Sequence, residues 1–140
     1  MARQIMCAIV AASVLFMVGV AFHLAMPLVA PGIPPQFSDS SLYRPWTGWT
    51  STYMLVHPLW FGVVFAAMYQ ALRTRGMRIR GWRGGLCYGL GVFLVGSLPV
   101  FLLAFASFRV SGGVIFSWVA QSLCQYAAAG AAVGAAAGQD

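Results

Sequence analysis

The stretch IMCAIVAASVLFMVGVAFHLAMPLVA (5–30) contains no charged residue and is too long for a strand or an ordinary core helix. Segments of about 18 or more apolar residues without charge are typical of transmembrane helices. The stretch also exceeds the roughly 7–15 apolar residues of a secretory signal, and no convincing small-x-small cleavage site follows it. We therefore predict an uncleaved first membrane helix over residues 4–30.

Three further apolar blocks predict helices over residues 49–72, 84–108 and 114–138. The composition agrees with a membrane protein, because 61% of the 140 residues are hydrophobic and only 7% are charged. An ordinary soluble domain carries about a quarter charged residues. The sequence thus predicts a single membrane domain over residues 1–140, an all-α antiparallel bundle of four transmembrane helices.

The arginines predict the orientation of this bundle. Five of them lie in RTRGMRIRGWR (73–83) and Arg3 falls on the same side, whereas Arg44 and Arg109 fall on the other. Because loops rich in Arg and Lys stay in the cytoplasm, we expect both termini and the 73–83 loop inside, and the 31–48 loop outside. This arrangement fits a bacterial inner membrane. The net charge of +6 does not predict nucleic-acid binding, which needs a basic face on a soluble fold.

Two sets of glycines are spaced by four residues, so each set lies on one helix face. Helices in lipid associate through small residues that let their backbones approach. The third and fourth helices are joined by a short connection, and we expect them to meet along these glycines. The alternative is that one set faces another subunit in a homo-oligomer or a larger membrane complex. The predicted packing residues are Gly81, Gly85, Gly89, Gly130, Gly134 and Gly138.

Polar side chains recur at a similar depth in the outer half of all four predicted helices. At a rise of 1.5 Å per residue most of them lie about 10–12 Å from the outer boundary. We call this predicted set the polar layer, and its members are His23, His57, Ser97, Gln121 and Gln125.

Three prolines in the same half predict helix kinks. Each removes a backbone donor and leaves the carbonyl four residues earlier without its helical partner; they are Pro27, Pro58 and Pro99. A freed carbonyl in lipid needs another donor. A neutral imidazole can donate to such a carbonyl and accept from a serine or glutamine. The polar layer is therefore explained either as hydrogen-bonding glue between helices or as a ligand site.

Several ligand hypotheses remain open for the polar layer. His23 and His57 can serve as the axial ligands of a b-type haem, with Arg44 and Arg109 beside its propionates. The layer can also hold the polar head of a quinone or lipid, or line a small-solute transporter or an oligomeric pore. Met residues at positions 26 and 54 with the histidines would suit copper(I), although Met is also ordinary filling in apolar helices.

Catalysis by side chains is not predicted. The only acids are Asp39 and Asp140, which lie outside the predicted helices, and the three cysteines form no C-x-x-C pair. A thiol oxidoreductase would need such a pair. We therefore expect a non-enzymatic accessory or binding subunit, without a metal or a cofactor, in which the bilayer is the first partner.

Overall fold

The computed structural model describes residues 2–38, 48–77 and 79–138, without the side chains at positions 38, 50, 51, 54 and 55. Within these ranges 87% of the residues are helical and no strand occurs. The long helices are α1 (Ala2–Val29), α2 (Trp49–Thr74), α3 (Gly81–Ser107) and α4 (Gly112–Ala136). The all-helical class and the four helices predicted from the sequence are confirmed.

Glycine, and not the run of arginines, ends α2. The helix continues two residues beyond its predicted limit, and Gly76 then takes a left-handed conformation with φ 85°. The Met77 N–H donates to the Leu72 carbonyl at 3.2 Å, and the Gly76 N–H donates to the Arg73 carbonyl at 3.0 Å. This pair of bonds is the usual glycine-dependent helix stop. Because arginine charges do not break a helix, the predicted end of this helix at residue 72 was two residues too early.

The middle of α3 is irregular. Residues Phe93–Ser97 form a π-helical turn, in which the Leu98 N–H donates to the carbonyl five residues earlier. The widened turn directly precedes Pro99, which has no N–H to continue the ordinary pattern. By contrast, α1 and α2 remain helical through Pro27 and Pro58.

The helices form a bundle in which α1 packs along both α2 and α4, and α4 packs along α3. Aromatic side chains connect α2 to α3. The rings of Phe65 and Tyr88 lie 4.7 Å apart between centroids, and the Tyr88 hydroxyl donates to the Phe65 carbonyl at 2.7 Å. All four helices therefore take part in one core.

Buried side chains concentrate at the end of the bundle that holds the beginning of α1 and the end of α4. We call this the closed end; it comprises residues 2–15, 58–77, 79–93 and 125–138. The buried residues of its main cluster are Cys7, Ala11, Leu15, Phe65, Ala66, Tyr69, Tyr88, Ala129, Val133 and Ala137.

The opposite end is packed much less tightly. We call it the open end; it comprises residues 16–29, 48–57, 94–107 and 112–124. No described residue of α1 beyond Leu15 is buried, and the segment Leu98–Ser107 buries none. The beginning of α4 is the exception: Val114, Ile115 and Ser117 are buried, and Ile33 and Phe37 of the segment that follows α1 lie close to Gly113 and Trp118.

Two of the helices, α1 and α3, are long and apolar enough to cross a membrane. In their most apolar 18-residue windows only 22% and 11% of the residues are buried inside the protein. Most of these apolar side chains therefore face outward.

Candidate functional site

The two glutamines of the polar layer gather at a single glycine of α1. The Gln125 amide donates to the Leu15 carbonyl at 2.8 Å. A β-carbon on Gly19 would lie 2.8 Å from the Gln125 Nε2 atom and 3.6 Å from that of Gln121. The absent side chain of Gly19 thus leaves the space that lets α4 hydrogen-bond to the backbone of α1. Gly19 was not among the residues predicted to pack against another helix.

Ser97 belongs to α3 and contacts α4 on a different side from the one that carries these glutamines. Its hydroxyl lies 3.0 Å from the hydroxyl of Tyr126, and the Tyr126 ring stacks on Phe61 with centroids 5.0 Å apart. Gln125 and Tyr126 are adjacent in sequence, so they point toward different neighbours. The structure therefore separates Ser97, which contacts α4 from α3, from the two glutamines, which lie at α1.

The histidines differ from the expectation that they donate within the bundle. His23 and His57 are both exposed, while Pro58 is buried. Successive helical residues point about 100° apart, so the imidazole does not share the buried side of Pro58. The His57 ring stacks on Phe61 at 6.0 Å.

An aromatic column on α2 was missed in the sequence. His57, Phe61, Phe65 and Tyr69 follow one another at a spacing of four, and neighbouring rings in the first three contact each other. The Tyr69 hydroxyl donates to the Ile79 carbonyl at 2.8 Å. The spacing of four was a readable signal for one helix face. Burial of its lower members makes the column part of the core.

Four of the predicted glycines bring α3 and α4 into backbone contact. A β-carbon on Gly85 would collide with the Gly130 carbonyl oxygen, and one on Gly89 would collide with that of Tyr126. Reciprocally, a β-carbon on Gly130 would lie 2.9 Å from the Gly89 nitrogen. These positions have no room for any side chain.

The other glycines of the two predicted sets lie elsewhere. A β-carbon on Gly134 would collide with the carbonyl oxygen of Gly81. Gly138 follows the end of α4 with φ 77°, so it serves the helix terminus. A further close contact, between Gly62 of α2 and Ala12 of α1, was not foreseen: a β-carbon on Gly62 would lie 2.6 Å from the Ala12 nitrogen.

The closed end carries the described arginines of the 73–83 segment. Arg73 donates to the Ala137 carbonyl at 2.8 Å and so ties α2 to the end of α4. The guanidinium of Arg83 lies 5.3 Å from the centre of the Trp82 ring. Arg3 and Arg75 are exposed at the same end. Of the remaining basic residues, those at positions 44 and 78 lie outside the described residues.

A groove of about 620 Å³ runs between α1 and α2 at the closed end. Its volume lies within the usual range of ligand pockets, about 300–1,000 Å³. The lining is mostly small or aliphatic, with polar side chains toward the beginning of α1 and the end of α2. It consists of Gln4, Ile5, Ala8, Ile9, Ala12, Leu59, Val63, Ala66, Ala67, Gln70, Ala71 and Thr74.

Among the residues that the structure describes, no three His, Cys, Asp or Glu side chains are grouped so that they could hold a metal ion. Asp39 and Asp140, the two acids of the sequence, lie outside the described residues, as do Arg44 and the side chain of Met54. No protein-family model matches the chain, and neither a curated protein nor a solved structure is significantly similar to it. The described residues form an all-helical protein in which two helices are long and apolar enough to cross a membrane.

Proposed function

We propose that the chain is an integral membrane protein with four spans, which acts as a non-enzymatic accessory or binding subunit. The observation that carries the proposal is the low burial of α1 and α3. The apolar core helix of a soluble protein is buried on most sides, and large exposed apolar surfaces mark membrane or protein contacts. Here two apolar helices are exposed along most of their length.

The other two helices fit the same membrane. Helices α2 and α4 have 26 and 25 residues, which corresponds to about 37–39 Å at 1.5 Å per residue. The hydrocarbon core of a bilayer is about 30 Å thick. Both helices pack beside α1. Most of their residues are apolar, and arginine occurs only near the end of α2.

The arginines support an orientation with the closed end in the cytoplasm. Arg3 and the 73–83 segment belong to that end, whereas Arg109 belongs to the connection between α3 and α4 at the other. The excess of arginine marks the cytoplasmic side. We accordingly propose the inner membrane of a bacterium, with both termini inside.

The open end supports a binding role. It presents large apolar side chains such as Leu102 and Phe105, which are 64% and 59% exposed, and it also carries His23, His57, Ser97 and Gln121 of the polar layer. Exposed apolar surface beside a few polar groups suits contact with another membrane component. In this proposal the closed end maintains the fold, and the open end meets a partner protein, a second copy of the chain or lipid.

The experiment combines extraction with cross-linking. Membranes that contain the protein are washed at alkaline pH, and we expect the protein to stay in the pellet. A photo-reactive residue at position 102 of the open end is then compared with one at the exposed Met68 of the closed end. The proposal predicts a discrete cross-linked protein only from position 102. Release by the alkaline wash would refute the membrane assignment, and equal products from both positions would refute the binding role of the open end.

A further inference from the structure

The groove between α1 and α2 has a floor of small side chains. The two helices touch closely where Ala12 meets Gly62. Toward the cytoplasmic end, the Gln70 amide reaches the Cys7 sulfur at 3.4 Å beneath the surface. Five of the twelve residues that line the groove are alanines. Because alanine side chains are short, a long channel stays unfilled along the surface of the bundle.

The polarity of the groove changes along its length. Aliphatic side chains line the part nearest the bundle centre, including Leu59 and Val63, while Gln4 and Thr74 stand at the other end. Arg3 precedes Gln4 and Arg75 follows Thr74, and both arginines are exposed. The groove is therefore apolar along most of its length and polar at one end, and the two exposed arginines are chain neighbours of its polar lining residues. A ligand that matches it has an apolar chain and an anionic head.

The length of the groove matches one leaflet of a bilayer. From Thr74 to Leu59 the α2 backbone rises about 22 Å at 1.5 Å per residue. Half of the hydrocarbon core is about 15 Å, and half of the bilayer with its headgroups is about 20–22 Å. A chain whose head lies at the cytoplasmic surface can thus extend through its whole leaflet inside the groove. Arginines on the cytoplasmic side of a membrane helix attract anionic lipid.

We propose that the groove binds one acyl chain of an anionic phospholipid from the cytoplasmic leaflet, with the phosphate beside Arg3 and Arg75. The inference rests on the proposed orientation, in which the closed end faces the cytoplasm. The amide groups of Gln4 and Gln70 and the Thr74 hydroxyl supply polar contacts to the head and the glycerol esters. The lipid is a structural ligand that covers the α1–α2 seam.

The test uses purified, delipidated protein in a non-ionic detergent. Phosphatidylglycerol or phosphatidylcholine with the same acyl chains is added, and native mass spectrometry counts the bound lipids. We expect a single retained phosphatidylglycerol, with phosphatidylcholine bound at least tenfold more weakly. Replacing one arginine weakens attraction to an anionic surface by about fivefold. Arg75→Gln should therefore bind phosphatidylglycerol about fivefold more weakly, whereas Arg109→Gln at the opposite end should bind like the parent.

A second pair of variants tests the groove itself. Ala71→Phe fills the channel, and Ala135→Phe places the same ring on an exposed position of α4 that does not line it. We expect loss of the retained lipid only in the first. If Ala71→Phe does not fold, Arg75→Gln still decides the question. Equal binding of both lipids, or equal binding by all variants, would overturn the proposal.

The two proposals fail in different ways. If the alkaline wash releases the protein from membranes, the membrane assignment fails and the lipid site fails with it. If the protein stays in the membrane but retains no phosphatidylglycerol, only the lipid site is overturned. If a second copy of the chain occupies the groove, Ala71→Phe changes the oligomeric mass and not the lipid count, which also overturns it.

Discussion

The closed and open ends of the bundle are made from the same helices, yet they are held together differently. At the closed end, glycines leave no side chains in the α3–α4 contact. The Tyr88 hydroxyl donates to the backbone of α2, and the Tyr69 hydroxyl donates to the connection between α2 and α3. At the open end, the segment Leu98–Ser107 buries no residue. Helices in lipid gain little from hydrophobic burial and depend on close packing and interhelical hydrogen bonds. The contacts that hold the helices together are thus concentrated at the closed end, and the open end is where we propose that a partner binds.

The largest expected effect comes from filling the glycine contact. Gly85→Leu should destabilise the bundle by at least about 3 kcal/mol, the upper range for overpacking, because the obstacle is the backbone of α4 and cannot move aside. Gly134→Leu should act alike. The control is Gly91→Leu on the same helix, where an added side chain meets open space.

The control should be neutral or stabilising by up to about 1 kcal/mol, because leucine favours the helix more than glycine does. Unfolding of the purified proteins by heat or denaturant in detergent measures all three. If Gly85→Leu and Gly91→Leu melted alike, stability would not reside in the glycine contact, and the contrast between the two ends would disappear.

A buried hydroxyl of the closed end gives the next effect. Tyr88→Phe removes the bond to the Phe65 carbonyl while keeping the ring, so we expect a loss of about 1 kcal/mol. Tyr53→Phe at the open end, where the tyrosine is 61% exposed, serves as the control and should be near neutral. The same unfolding measurement compares them, and the idea fails if the order of the two losses is reversed.

Gln125 lies where the two ends meet, and its replacement should have a smaller effect. Gln125→Met keeps the size of the side chain but loses the bond to the Leu15 carbonyl. Interhelical hydrogen bonds in membranes average about 0.6 kcal/mol, and we expect a loss of that order. Gln121→Met is the matched control one turn away. A loss above about 2 kcal/mol would show that the glutamine does more than join α1 to α4.

The smallest effect is expected at the exposed histidines of the open end. His57→Ala should change stability by no more than about 0.5 kcal/mol, as at other surface sites. The absorption spectrum of the purified parent, oxidised and reduced, should show no haem band. A band lost in both His23→Ala and His57→Ala would instead establish a haem between α1 and α2 and would make the open end a cofactor site.

The sequence predicted the helices because the apolar blocks are long and the connections are short. It also placed the glycines whose spacing of four brings α3 and α4 together. It did not predict which way α1 and α2 face. Nearly every side of α1 is apolar, so no periodic pattern marks the side that packs inward. The residues around His57 on α2 are also apolar, so the exposure of His57 could not be predicted. The role of Gly19 likewise depends on a partner, Gln125, that lies far away in the sequence.

Reporter fusions test the proposed membrane arrangement most directly. A phosphatase that is active only outside the cytoplasm is fused after Gly76, after Ser111 or after the C-terminal residue. Four spans with the closed end inside predict activity from the Ser111 fusion alone, and a fluorescent reporter that folds only in the cytoplasm should give the opposite pattern. Phosphatase activity from the C-terminal fusion, or none from the Ser111 fusion, would contradict the four-span bundle and the orientation on which the open end and the lipid groove depend.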